Sequence, residues 1–213
     1  MDDHMIRGVA FDLDGTLIDS GATLALAWEA AFKKYDVIIN KEEFAKYIGL
    51  DPRDIVRKFI PNANELDIKN MQRLRYEQFI RNIAAVKLYP EVDGVLSYLL
   101  KKGIKMSIAT SMGTDLLDSV VRQVGLDKFM SYCVSSSQVK NAKPAPDVFL
   151  KAMKLMKVGP MDCFVVGDRE YDIIAGKRAG SRTALVLRDR YSLSAGVKAD
   201  YSIRDLSELV TII

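Results

Sequence analysis

The chain is predicted to be an α/β protein, a doubly wound parallel sheet carrying an inserted all-helical domain. Three observations predict this. A short apolar run at 6–11 reads as a buried strand. Residues 22–85 show helical periodicity and no strand signal. After Pro90, strands and helices alternate in regular order.

The first strand, 6–11, is too short for a helix and is followed by Asp12 and a glycine-containing turn. Helices are expected at 22–35, 41–48, 52–59 and 66–85. In the first of these, Leu24, Trp28, Ala31, Phe32 and Tyr35 share one face and belong to a core. Asp51 followed by Pro52 is a helix start, with aspartate as cap and proline in the first turn. Helix 92–102 then leads to strand 105–110, and helix 114–124 to strand 131–135. Helix 147–156 leads to strand 163–166, and helix 171–179 to strand 183–187. A strand at 199–203 and a short helix end the chain. Gly103, Gly125 and Gly180 stand where helices stop. Such alternation builds a parallel, Rossmann-like sheet through right-handed crossovers. The expected organisation is a discontinuous α/β domain, 1–20 and 87–213, with a helical domain at 21–86.

Composition removes several function classes. At 213 residues, 49% hydrophobic and 28% charged, the chain is neither disordered nor collagen-like. Its longest uncharged stretch is 11 residues (129–139) and holds four serines, far short of a spanning helix of about 20 residues. The acidic start, Asp2 and Asp3, does not suit a signal peptide, and whether residues 1–4 are native stays open. Net charge is +3, and the basic residues are scattered along helices, so no nucleic-acid surface is expected. Cys133 and Cys163 have no metal-site spacing and lie in apolar runs, which fits buried thiols and a cytoplasmic location. His4 is the only histidine and reads as a solvated terminal residue. Any chemistry must therefore run on carboxylates, hydroxyls, lysine and arginine.

In an open α/β sheet the ligand binds beyond the carboxyl ends of the strands. Those ends carry Asp12-Leu13-Asp14-Gly15-Thr16, Thr110-Ser111 and Gly167-Asp168 with Asp172, and Lys143 lies in a connection on the same edge. No glycine-rich dinucleotide or P-loop motif is present. Aspartates without histidine or thiolate make an oxygen-rich site, which favours a hard cation, Mg²⁺ over Ca²⁺.

Asp12-x-Asp14-Gly15-Thr16 after an apolar strand, with the other segments in this order, resembles the haloacid dehalogenase-like superfamily of phosphohydrolases. The helical insert resembles the C1-type cap of its phosphoglycolate phosphatase-like branch. The resemblance spans the chain from Ile6 to the last strand and implies a Mg²⁺-dependent phosphatase acting on a small phosphate monoester, phosphoglycolate by default. It implies Asp12 as nucleophile and Asp14 as acid and base. It implies Mg²⁺ held by Asp12, the Asp14 carbonyl and Asp168, with Asp172 orienting the metal's waters or standing behind them. Thr110, Ser111 and Lys143 would hold the phosphoryl oxygens. Family dehalogenases lack the second aspartate, so Asp14 argues for phosphatase. In the loop 48–53, Gly49 is expected to let the chain dip toward Asp12, and Arg53 either meets an anionic substrate or sits on a helix surface.

Three features stay open at this level. Asp19-Ser20 reads first as a cap for the helix near Ala22. Arg169 replaces the serine common after the motif aspartate, with Glu170 or Asp172 as its partner. Met112-Gly113 follows Ser111 where relatives often have asparagine, which weakens a match to one substrate group. The alternatives are a β-phosphoglucomutase-like phosphotransferase, a pyrophosphatase, and a non-catalytic binding relative. Oligomeric state is not legible.

Overall fold

The computed structural model describes residues 5–188, 192 and 197–213; His4 and the rest of the N-terminal 1–4 lie outside them. Strand β1 (Gly8–Phe11) is wholly buried and forms the centre of a six-stranded parallel sheet. The others are β4 (Lys105–Thr110), β5 (Tyr132–Ser135), β6 (Cys163–Gly167), β7 (Arg182–Val186) and β8 (Tyr201–Ile203). Their spatial order is β5-β4-β1-β6-β7-β8. β1 pairs in parallel with β4 on one side and β6 on the other, Phe11 standing opposite Ile108 and Val166. The strand order therefore reverses beside β1, the point where such sheets open a crevice. Burial on both faces explains why β1 reads as an unbroken apolar run.

Helices α5 (Val92–Lys101), α6 (Thr114–Gln123), α7 (Asp147–Met156) and α8 (Glu170–Ala179) connect these strands. Two two-residue strands, β2 (Ile18–Asp19) and β3 (Lys87–Leu88), pair antiparallel. Between them run α1 (Gly21–Lys33), α2 (Lys41–Phe44), α3 (Pro52–Phe59) and α4 (Glu65–Arg81), with single 3₁₀ turns at Ala45–Tyr47 and Ile83–Ala85. Asp51 caps α3 through the Arg53 N–H, and Asn64 with Asp67 forms a capping box on α4. Trp28, Phe32, Phe44 and Phe59 pack ring to ring inside this helical block, Phe32 lying 5.0 Å from Phe59.

Some boundaries differ from the expectation. The helix at 66–85 stops at Arg81 and is followed by a 3₁₀ turn, and 41–48 is one helical turn plus a 3₁₀ turn. The first strand begins at Gly8 and the last at Tyr201. The β2–β3 pair has no counterpart in the sequence pattern. Both cysteines are free, Cys163 buried and Cys133 half-buried, and burial pushes both thiols up. Among the described residues no helix is long and apolar enough to cross a membrane.

Candidate active site

Parallel strands deliver their following residues to one edge. Asp12 follows β1, and its N–H donates to the Val166 carbonyl of β6 at 2.8 Å, which fixes the residue at the strand end. Asp168 follows β6, and Asp172 lies in the first turn of α8. Lys143 comes from the β5–α7 connection. All four side chains are buried, and buried charges need partners. Lys143 Nζ donates to Asp12 Oδ1 at 2.6 Å and to Asp172 Oδ1 at 2.8 Å. Asp172 Oδ2 accepts from the Arg169 N–H at 3.1 Å. Asp168 Oδ1 accepts from Thr16 Oγ1 at 3.3 Å.

Carboxylate oxygens of Asp12, Asp168 and Asp172 all lie within 4.8 Å of one another. Three buried hard donors in one place fit a hard divalent cation. Gly15 has φ +83°, and a Cβ there would collide with the Asp168 carboxylate. The turn after Asp14 thus lies directly against the acidic cluster.

The electrostatics follow from crowding. Burial pushes Asp12 up to about 7, with Lys143 opposing and Asp172 and Asp14 adding to it. Burial works against the Lys143 charge as well, but Asp12 and Asp172 outweigh it and hold the ammonium above its ordinary range. Burial also raises Asp14, opposed by Ser20, Arg75 and Lys143. Two carboxylates two residues apart therefore sit in different surroundings, Asp12 on a lysine and Asp14 on a hydroxyl.

That hydroxyl corrects an expectation. Ser20 precedes α1 but makes no side-chain cap; its Oγ donates to Asp14 Oδ1 at 2.5 Å instead. The buried, charged acceptor outcompetes the helix N–H groups. Arg169 Nε also lies 3.1 Å from Asp168 Oδ2, a partner that the sequence did not offer.

Thr110 Oγ1 accepts from the Met112 N–H at 3.1 Å, and Ser136 Oγ donates to the Ser111 carbonyl at 3.1 Å, so the loop after β4 is held on both sides. Ser111 Oγ is buried without a hydrogen-bond partner among the described residues. It lines, with Lys143, a cleft of about 1300 Å³ between the sheet edge and the helical insert. Among the described residues that line it, seven are cationic and three acidic, the insert contributing Arg53, Arg57, Lys69, Arg73 and Arg75.

Gly49 has φ +97°, and a Cβ there would run into the Tyr171 hydroxyl. Tyr171 Oη donates to the Ile48 carbonyl at 2.6 Å. The insert's loop thus rests on the residue next to Asp172. Arg53 sits on the cleft rim, exposed, 3.4 Å from Glu65.

Sequence reasoning missed Arg75. It lies on the buried stripe of α4, with Ile68, Met71 and Phe79. Its guanidinium stacks on Trp28 at 5.1 Å, and its Nε is buried without a hydrogen-bond partner among the described residues. Burial lowers it to about 10, with Asp14 and Asp51 opposing. A charge at helical spacing within an apolar stripe was the signal that could have found it.

The profile of the haloacid dehalogenase-like hydrolases matches residues 9–186. The chain belongs to this family. Within it the chain falls in the phosphoglycolate phosphatase-like branch and is an enzyme of the phosphatase type. It is 30% identical over 212 residues to a phosphoglycolate phosphatase of Aquifex aeolicus, covering 97% of this chain and 96% of that one. It is 29% identical over 211 residues to the pyrophosphatase PpaX of Oceanobacillus iheyensis, covering 98% and 97%. Its fold is similar to that of a hydrolase from Pseudomonas syringae, with a TM-score of 0.86 at 24% identity over 97% of both chains. It is also similar to that of CbbY from Rhodobacter sphaeroides in complex with phosphate, with a TM-score of 0.84 at 22% identity over 96% of both.

Proposed function

We propose that this chain is a Mg²⁺-dependent phosphatase that hydrolyses a small phosphate monoester carrying a second anionic group, of which phosphoglycolate is the default. The observation that carries it is the pair Asp12 and Asp14, one bonded to Lys143, which lines the cationic cleft, and the other to Ser20. Different surroundings for two carboxylates suit a division into nucleophile and acid.

In this reading an Asp12 oxygen attacks phosphorus and the bond to the leaving oxygen breaks, leaving phosphate on Asp12. Asp14, whose carboxyl burial shifts toward holding a proton, gives a proton to the leaving alkoxide. It then takes a proton from the water that releases phosphate. Lys143 and the Ser111 hydroxyl bind the phosphoryl oxygens. Asp12, Asp168, Asp172 and the Asp14 carbonyl would hold Mg²⁺, which when bound neutralises charge on the phosphoryl group. Residues 21–86 act as a cap that excludes water. Arg75 and the cationic rim, Arg53 included, receive the second anionic group. Pyrophosphate satisfies the same requirement, which keeps a pyrophosphatase as the second reading.

Phosphate release from phosphoglycolate, sugar phosphates, nucleotides and pyrophosphate, with Mg²⁺ and with EDTA, tests this. A Mg²⁺-dependent preference for an ester with a second anionic group is expected, abolished in Asp12→Asn. Turnover that survives EDTA or Asp12→Asn would refute it.

A further inference from the structure

Arg188 follows β7, on the far side of the sheet centre from β4, and takes no part in the chemistry above. Its Nε donates to the Gly15 carbonyl at 3.3 Å and its Nη2 to the Thr16 carbonyl at 3.0 Å. Nη2 also meets Glu91 Oε1 at 2.6 Å, and the guanidinium lies over the Tyr89 ring at 3.7 Å. Both charged side chains are largely shielded, 12% and 18% exposed. Glu91 Oε1 in turn accepts from the Leu206 N–H at 3.4 Å.

These contacts fall on the two linkers that enter and leave the helical insert. The first linker is a tight turn in which the Leu13 carbonyl accepts from Thr16, Leu17 and Ile18, and the Gly15 N–H donates to the Ile18 carbonyl. The second is tied to it by the Tyr89 N–H, which donates to the Leu17 carbonyl at 3.1 Å. Arg188 reaches both linkers with one planar fork, a geometry a lysine cannot reproduce. Asp14 begins the first turn. Its carboxylate is held at one end by Ser20 and its backbone at the other by the turn that Arg188 grips.

We propose that Arg188 is a positioning residue for proton transfer: it fixes the Gly15–Thr16 turn and thereby the aim of the Asp14 carboxyl. The proposal rests on the reading of Asp14 as the acid. In that step the Asp12–phosphorus bond forms, the bond from phosphorus to the leaving oxygen breaks, and the Asp14 proton moves to that oxygen. Misplacing a proton donor by an ångström is costly only where the leaving group needs the proton.

The test is the dependence of kcat/KM on the leaving group, which reports only steps up to formation of phosphorylated Asp12. The wild type, Arg188→Ala, Arg188→Lys and Asp14→Asn are compared with Mg²⁺ on two alkyl esters, phosphoglycolate and glycerol phosphate, and on p-nitrophenyl phosphate. Nitrophenolate leaves without a proton. Arg188→Ala is expected to lower kcat/KM about 100-fold on the alkyl esters and less than about threefold on the nitrophenyl ester. Arg188→Lys, which keeps the charge facing Glu91, is expected to show the same selectivity with about a tenfold loss, and it carries the test if the alanine variant does not fold. Equal losses on both ester types, or none on either, would overturn the proposal. If Asp14→Asn slows both types equally, the reading of Asp14 as acid falls instead.

Discussion

The Ser20 hydroxyl donates to the Asp14 carboxylate at 2.5 Å, both groups buried where the first linker enters the helical insert. A hydroxyl that donates to a carboxylate favours its ionised form and so lowers its pKa. Burial raises Asp14 and this bond opposes it. Ser20→Ala is therefore expected to raise Asp14 further and move the basic limb of the kcat/KM profile upward. A hydrogen bond to a charged group is worth about 1.5–3 kcal/mol, so the shift is about one to two pH units. A pH–rate profile on an alkyl ester checks it; an unmoved basic limb contradicts it.

Arg75 predicts a trade between stability and turnover. A buried guanidinium on Trp28, its Nε without a hydrogen-bond partner among the described residues, costs the fold something. Arg75→Met fills similar volume without the charge. It is expected to melt at or above the wild-type temperature while losing about 10- to 100-fold in kcat/KM on phosphoglycolate or pyrophosphate. Thermal melts and steady-state kinetics on the same preparations check both halves.

Tyr171 and Gly49 define how the insert seats on the sheet edge. Tyr171→Phe leaves the Ile48 carbonyl without its donor, at a cost of about 1–3 kcal/mol to the seated state. Gly49→Ala must move the loop, because its Cβ meets the Tyr171 hydroxyl and its φ is +97°. Faster amide exchange across residues 48–51 is expected in both variants, with KM rising more than kcat falls. Unchanged exchange in Gly49→Ala would contradict the seating.

Asp12 fixes the sign of a pH effect on stability. Burial pushes it to about 7 from an ordinary 3.8, so the folded chain holds a proton the unfolded chain has released. Its contribution is fully present below about pH 4 and is lost as pH rises through about pH 7. In EDTA the melting temperature is expected to fall across that window. Mg²⁺ is expected to reverse the fall above it, since a ligand bound only to the folded state stabilises that state. Asp12→Asn removes the titration and should flatten the curve. A melting temperature in EDTA that is constant or rises from about pH 4 to about pH 7 would contradict the assignment.

Much of this was legible in the residues because it rests on local pattern. The apolar run of β1, the capped start of α3 at Asp51-Pro52 and the strand-helix alternation all speak within a few residues. The acids were legible as a group because parallel strands must deliver their ends to one edge. What escaped depends on distant choices. β2 and β3 are two-residue strands that exist only through each other. Ser20 had a local role and a distant one open to the same hydroxyl, and the buried charge decided. Arg75 did leave a trace, as a charge within the stripe of Ile68, Met71 and Phe79. Arg188 left none, since it meets Gly15 and Thr16 only once the sheet has closed.

The most direct test of the central claim is to find where the phosphate goes. Asp14→Asn, which slows release, is mixed with Mg²⁺ and p-nitrophenyl phosphate, whose leaving group needs no proton for Asp12 to be phosphorylated, quenched in acid, and mapped by peptide mass spectrometry. The prediction is a phosphate on Asp12, absent when Asp12→Asn is added. A phosphate on any other residue, or full turnover by Asp12→Asn alone, would contradict it.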